Sequence, residues 1–164
     1  MTSSNSPESA AAQSEVWNRY DQTGLHQPYL IYAEDNESDA IFFQRAFSRS
    51  GGELPILRFA DGAAVRDFLL LAEREGRPLP RLCILDIKMP GLTGLEVLEM
   101  IRKQPYTRHL PVIILSASYE ERDVKLAYRE QVNAYIVKPN RYRELRELTA
   151  SIATFWGRFN QPVL

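Results

Sequence analysis

Cysteine occurs once and histidine twice in the 164 residues. A single thiol excludes an internal disulfide and fits a reducing, cytoplasmic setting. Cys83 lies inside an apolar run and reads as a packing residue, not a nucleophile. No apolar run approaches the roughly 20 residues of a membrane span. The N-terminus lacks the basic stretch and apolar segment of a secretory signal. Charge of one sign is also lacking: 20 Lys and Arg face 21 Asp and Glu, a net charge of −1. That balance gives no electrostatic case for direct binding of nucleic acid. With 45% apolar and 25% charged residues, the composition is that of one soluble globular domain, large enough for a single core.

Five short apolar runs are present: Tyr29–Ala33, Ile56–Ala60, Leu82–Asp86, Pro111–Ser116 and Ala134–Lys138. Most are near-continuous instead of alternating, the pattern of parallel strands covered on both faces. Between them the spacing turns helical. Val65, Phe68, Leu69 and Ala72 fall on one face, as do Gly94, Val97, Leu98 and Ile101. Ala40, Phe43 and Phe47 mark a first helix, and Leu145, Leu148 and Ile152 a last one. Asp61 and Thr93 supply helix-start chemistry. The segment 120–131 is weaker, with Val124, Ala127 and Tyr128 on a face that is otherwise polar. Residues 1–14, rich in Ser and Ala, read as a disordered tail. Trp17 and Tyr20 pack either on the domain or on a partner. The expected division is an N-terminal extension over 1–27, a domain over 28–158 and a tail over 159–164.

Strand and helix alternating five times predict an α/β fold, a doubly wound parallel sheet with right-handed crossovers. Ligands of such sheets bind beyond the carboxyl ends of the strands. The residues expected there are Glu34 and Asp35 after the first strand, Asp86 at the third, Ser116 at the fourth and Lys138 at the fifth. Clustered carboxylates repel one another unless a cation neutralises them. Oxygen-only ligands completed by water suit Mg²⁺. Other metals are poorly served, because neither His26 nor His109 sits at a strand end. A lysine attracts phosphate as a point charge, and a serine hydroxyl can donate to it. The set describes a phosphoryl site beside a divalent cation, with Asp86 at the centre as nucleophile. A lone aspartate at a strand end is usually a helix or turn cap, and a lone lysine an ordinary surface charge, so each residue is weak taken singly.

The segments "YAEDNESD", "LDIKMPGLTG", "ILSAS" and "YIVKP", in this order, resemble the receiver domain of two-component response regulators. The likeness spans about Pro28 to Phe155. It implies a flavodoxin-like (βα)5 fold with strand order 2-1-3-4-5. It also implies phosphoryl transfer from a sensor histidine kinase or phosphotransfer protein onto Asp86. Asp35 would hold Mg²⁺ directly and Glu34 through water, with the Lys88 backbone carbonyl as a further ligand. Lys138 would pair with the phosphoryl oxygens, and Ser116 and Tyr135 would act as the switch. The Lys138–Pro139 bond would be cis.

Three features depart from the family's usual pattern. The acidic pair is Glu-Asp instead of Asp-Asp. Lys88 places a cation just past the phosphoacceptor, which predicts an effect on phosphate lifetime. Asn140 and Arg141 follow Lys-Pro where an acid is common, so the last helix starts with a different cap.

After the last strand there is room for one helix and no output domain, so the expected output is a phosphorylation-dependent protein surface. The arrangement is similar to single-domain regulators that serve phytochrome-type kinases. Such proteins form homodimers through the fourth helix, fifth strand and fifth helix. Phe155, Trp156 and Phe159 either cover the core or meet a second subunit. Three other readings compete with this one. A phosphatase of the haloacid-dehalogenase kind wants a second aspartate where Lys88 stands. A flavodoxin needs a phosphate-binding loop where the acidic "EDNESD" lies. A degenerate receiver-fold interaction module would act without phosphate.

Overall fold

The computed structural model describes residues 28–163. The expectations for the tail and for Trp17 and Tyr20 therefore lie outside the described residues. Five strands are formed: β1 (Leu30–Ala33), β2 (Ile56–Phe59), β3 (Leu82–Leu85), β4 (Val112–Ser116) and β5 (Ala134–Val137). They alternate with α1 (Glu37–Arg49), α2 (Gly62–Glu75), α3 (Gly94–Lys103), α4 (Glu121–Arg129) and α5 (Tyr142–Thr154). A single π-helical turn, Phe155–Phe159, extends α5. All strand pairs are parallel and the order is 2-1-3-4-5, the flavodoxin-like arrangement expected.

The near-continuous apolar runs have a direct cause. Leu30, Tyr32, Leu82, Ile84, Ile113 and Leu115 face Phe43, Phe47 and Ile152 of α1 and α5. The residues between them, Ile31, Ala33, Cys83, Leu85, Val112 and Ile114, face Val65, Phe68, Leu98 and Ala127 of α2, α3 and α4. With both faces covered, the two-residue period of a strand leaves no polar trace. Cys83 is fully buried in this packing, and burial raises its thiol pKa, so it is inert.

Caps place the helices against the rim. Asn36 caps α1 by accepting the Asp39 N–H at 3.0 Å, and Asp61 caps α2 through Ala64 N–H at 2.7 Å. Thr93 and Glu96 form a reciprocal capping box on α3. Arg141 occupies the N-cap of α5 without a side-chain bond. The weakly patterned fourth segment is a helix that buries only Ala127, which is why its periodicity is faint. Arg102 clamps its exit: the guanidinium donates to the carbonyls of Leu110 at 2.8 Å and Gln131 at 2.9 Å. Gln131 itself has φ +60°, a left-handed turn held by that clamp.

The C-terminal aromatics divide. Trp156 packs on the α1/α5 side of the core, whereas Phe155 and Phe159 are exposed. Among the described residues no helix is long and apolar enough to cross a membrane.

Candidate functional site

Each strand gives out where its apolar run ends, and the chain then turns into a helix. Asp86 follows β3 directly, and its N–H still donates to the Ala33 carbonyl at 3.0 Å, so the acid is held at the sheet's central end. Glu34 is tied in the same way, its N–H donating to the Phe59 carbonyl at 2.9 Å. The two acids are thus fixed by neighbouring strands before any side-chain contact is made.

Lys138, just after β5, joins them. Its ammonium donates to Asp86 Oδ2 at 3.2 Å, to Asp39 Oδ2 at 3.0 Å and to Glu34 Oε2. Its side chain is only 17% exposed and that of Glu34 is fully buried. Carboxylate oxygens of Glu34, Asp35 and Asp86 also lie within 4.8 Å of one another, with Asp35 exposed to solvent. Three acids therefore share one ammonium and a fourth, Asp35, lies beside two of them, an excess of negative charge that a divalent cation would relieve. The donor set is all oxygen and partly open to water, which fits Mg²⁺ and Mn²⁺ and offers nothing to softer metals.

Electrostatics follow from burial. Desolvation pushes the Glu34 carboxyl above its ordinary range, against the pull of Lys138 and of the Asn36 N–H at 3.0 Å; the nearby Asp86 charge pushes it further up. Burial alone would lower the Lys138 ammonium. Its hydrogen bonds to Glu34 and Asp39, with the charge of Asp86, outweigh that and hold it above the usual lysine range. Tyr32 donates to Glu34 Oε2 at 3.3 Å, and burial plus the surrounding carboxylates raise its phenol, so it remains a donor.

The other expected residues lie on the same rim or beside it. Ser116 ends β4 almost fully buried, its Oγ accepting the Ser118 N–H at 3.3 Å. Tyr135 is half-buried in β5, and its hydroxyl donates to the Ser118 carbonyl at 2.9 Å. Lys88 is exposed, two residues past Asp86. One expectation is corrected: no peptide bond among the described residues is cis, so the Lys138–Pro139 bond is trans.

Several residues at the site were not singled out from the sequence. Asp39 is the third acid on Lys138, hidden because an acid in a first helical turn ordinarily serves the helix dipole. Arg58 of β2 caps the Glu34 carbonyl from Nε and Nη2 at 3.3 and 3.2 Å and pairs with Glu37. It holds the β1–α1 turn that carries the acidic pair. Ser118 donates to Asp123 Oδ2 at 2.6 Å, which ties the loop after Ser116 to the first turn of α4. No motif in a polar loop announces such a link.

Comparison with known proteins identifies the family. Residues 30–150 match the model of the response regulator receiver domain. The probable methanogenesis regulatory protein FilR2 of Methanothrix harundinacea is 37% identical over 137 residues, 82% of this chain and 87% of that protein. Response regulator Rcp1 of Synechocystis is 31% identical over 77% of this chain and 87% of its own length. The crystal structure of its Mn²⁺-bound form superposes with a TM-score of 0.74, covering 84% of this chain and 100% of that one. The phosphorylated cyanobacterial phytochrome response regulator RcpA, at 28% identity, gives 0.75 over 84% of this chain and 100% of that one. By the match of its sequence and the likeness of its fold, this chain belongs to the response regulator receiver domain family.

Proposed function

We propose that the protein is a stand-alone response regulator whose Asp86 accepts a phosphoryl group from the phosphohistidine of a sensor kinase or phosphotransfer protein. The observation that carries this reading is the ammonium of Lys138 bridging Glu34, Asp39 and Asp86 from separate elements at one end of the sheet. A lone capping aspartate needs no such partner.

In the reaction, a carboxylate oxygen of Asp86 attacks phosphorus and forms the O–P bond. The P–N bond to the donor histidine breaks, and its electron pair returns to the imidazole nitrogen. The Ile87 N–H, donating to Asp86 Oδ1 at 2.7 Å, fixes the rotamer of the nucleophile. Lys138 neutralises charge on the phosphoryl oxygens, and the Ser116 hydroxyl donates to them. Glu34, Asp35, Asp86 and the Lys88 carbonyl would hold Mg²⁺, which when bound supplies further neutralisation of that charge. The protein is a phosphoacceptor with self-catalysed transfer, not an enzyme acting on other substrates.

The donor has a surface to approach. A groove of about 600 Å³ between α1 and the start of α5 opens beside Lys138. Phe42 is half exposed in it, with its ring centroid 6.4 Å from that of the exposed Tyr142. A helix carrying the phosphohistidine would bury these rings. The likeness to a phytochrome response regulator makes a phytochrome-type kinase the first donor to try. Output runs through protein contacts: phosphorylation shifts Ser116 and Tyr135 and through Ser118 biases α4. Exposed Tyr128 on α4 and Val137 on β5 give a homodimer through α4, β5 and α5 an apolar surface. The phosphoacceptor unit is residues 28–158, it is cytoplasmic, and it binds no nucleic acid directly.

Incubation with acetyl phosphate and Mg²⁺, read by intact mass, tests the reading. Wild type gains one phosphoryl group, whereas Asp86→Asn and wild type in excess chelator gain none. Phosphate on the variant, or none on wild type, refutes it. Lys88, exposed beside the acceptor, sets the lifetime of the product. Lys88→Ala changes the dephosphorylation rate by about twofold or more, and equal decay curves would remove Lys88 from the account.

A further inference from the structure

Lys138 has three N–H donors, and three carboxylates take them. Glu34 and Asp86 belong to the close group of acids that suits a divalent cation; Asp39 does not. Whatever claims the oxygens of Glu34 and Asp86 therefore takes acceptors away from Lys138. An ammonium whose side chain is 17% exposed cannot lose its partners without leaving a buried charge uncompensated. Asp39 is the acceptor that can stay. It lies in the first turn of α1, where the Asn36 cap fixes its backbone, and its side chain is 44% exposed on the groove side of Lys138.

We infer that Asp39 is a positioning residue for phosphoryl transfer. It retains Lys138 while Asp86 Oδ2 is released to attack phosphorus. It works through the ammonium and does not touch the phosphoryl group. Without Asp39 the ammonium draws back onto Glu34 and Asp86, and the nucleophilic oxygen stays engaged in the ion pair. The inference rests on the reading of Asp86 as phosphoacceptor and adds the residue that frees it.

A double-mutant cycle on the rate of phosphoryl gain from acetyl phosphate, at saturating Mg²⁺, tests this. Asp39→Ala slows the gain by about tenfold. Asp39→Glu, which restores the charge, recovers most of that loss. In the Lys138→Ala background, Asp39→Ala has less than about a twofold effect, because the group it acts through is gone. A second readout needs neither metal nor phosphate. The ammonium NMR signal of Lys138, identified by its disappearance in Lys138→Ala, shifts and exchanges faster with water in Asp39→Ala.

Equal rates for wild type and Asp39→Ala, equal slowing in both backgrounds, or an unmoved ammonium signal would each overturn the role of Asp39 while leaving Asp86 as acceptor. No phosphoryl gain by wild type would overturn both.

Discussion

Gly94→Ala costs the protein a large part of its stability and displaces the loop that carries Asp86. Gly94 opens α3, and a Cβ there would lie 2.1 Å from the carbonyl oxygen of Asp86 and 2.8 Å from its carbonyl carbon. These are backbone atoms, so no side chain can swing aside. The Gly94 N–H donates to the Ile87 carbonyl at 3.1 Å, which pins α3 to the residue after Asp86. Either that bond breaks or Asp86 moves. The expected cost is about 3–5 kcal/mol, out of a total of about 5–15 kcal/mol. Gly91 serves as the control. It adopts φ +75°, and a Cβ there would meet Ala63 Cβ at an ordinary contact distance of 3.6 Å, so alanine adds only conformational strain of about 1–2 kcal/mol. Urea unfolding of the two variants separates close approach from backbone conformation. A Gly94→Ala protein within about 1 kcal/mol of wild type would contradict the packing of α3 on Asp86.

Mg²⁺ stabilises the protein, and Asp35→Asn removes most of that effect. Glu34 and Asp86 are engaged with Lys138, whereas Asp35 is exposed and makes no hydrogen bond or ion pair among the described residues. Replacing it therefore takes one donor oxygen from the cation site and leaves the ion-pair cluster intact. A ligand at 100 times its dissociation constant adds about 2.7 kcal/mol to folding stability. For a domain of this size that raises the melting temperature by roughly 5–11 °C. At the same Mg²⁺ concentration the rise in Asp35→Asn falls below about 2 °C, as a loss of affinity of about 100-fold requires. An undiminished rise would place the ion elsewhere.

The sheet was legible in the sequence because β1, β3 and β4 are covered on both faces and so appear as unbroken apolar runs. The strands stop one residue short of several expected ends, at Phe59, Leu85 and Val137. At the last two, the following residue, Asp86 or Lys138, turns from the ladder toward the rim. The meeting of Glu34, Asp35, Asp86 and Lys138 was legible from strand ends alone, since a parallel sheet brings those ends together. Asp39 was missed because it sits on a helix, where an acid at the N-terminus has an ordinary purpose. Arg58 was hidden by its place inside an apolar strand, and Ser118 with Asp123 by a loop whose contacts depend on its path. The aromatics after Thr154 fit either a core or a subunit contact by sequence, and the structure divides them: one ring is partly buried against the core and two face solvent.

The most direct measurement is the chemical location of the phosphate. After reaction with acetyl phosphate and Mg²⁺, borohydride reduces an aspartyl phosphate to homoserine, which peptide mass spectrometry places to a single residue. The account predicts homoserine at position 86 and nowhere else in the chain. Reduction product at 35 or 39, or none at 86 in a protein that has gained phosphate, would contradict it.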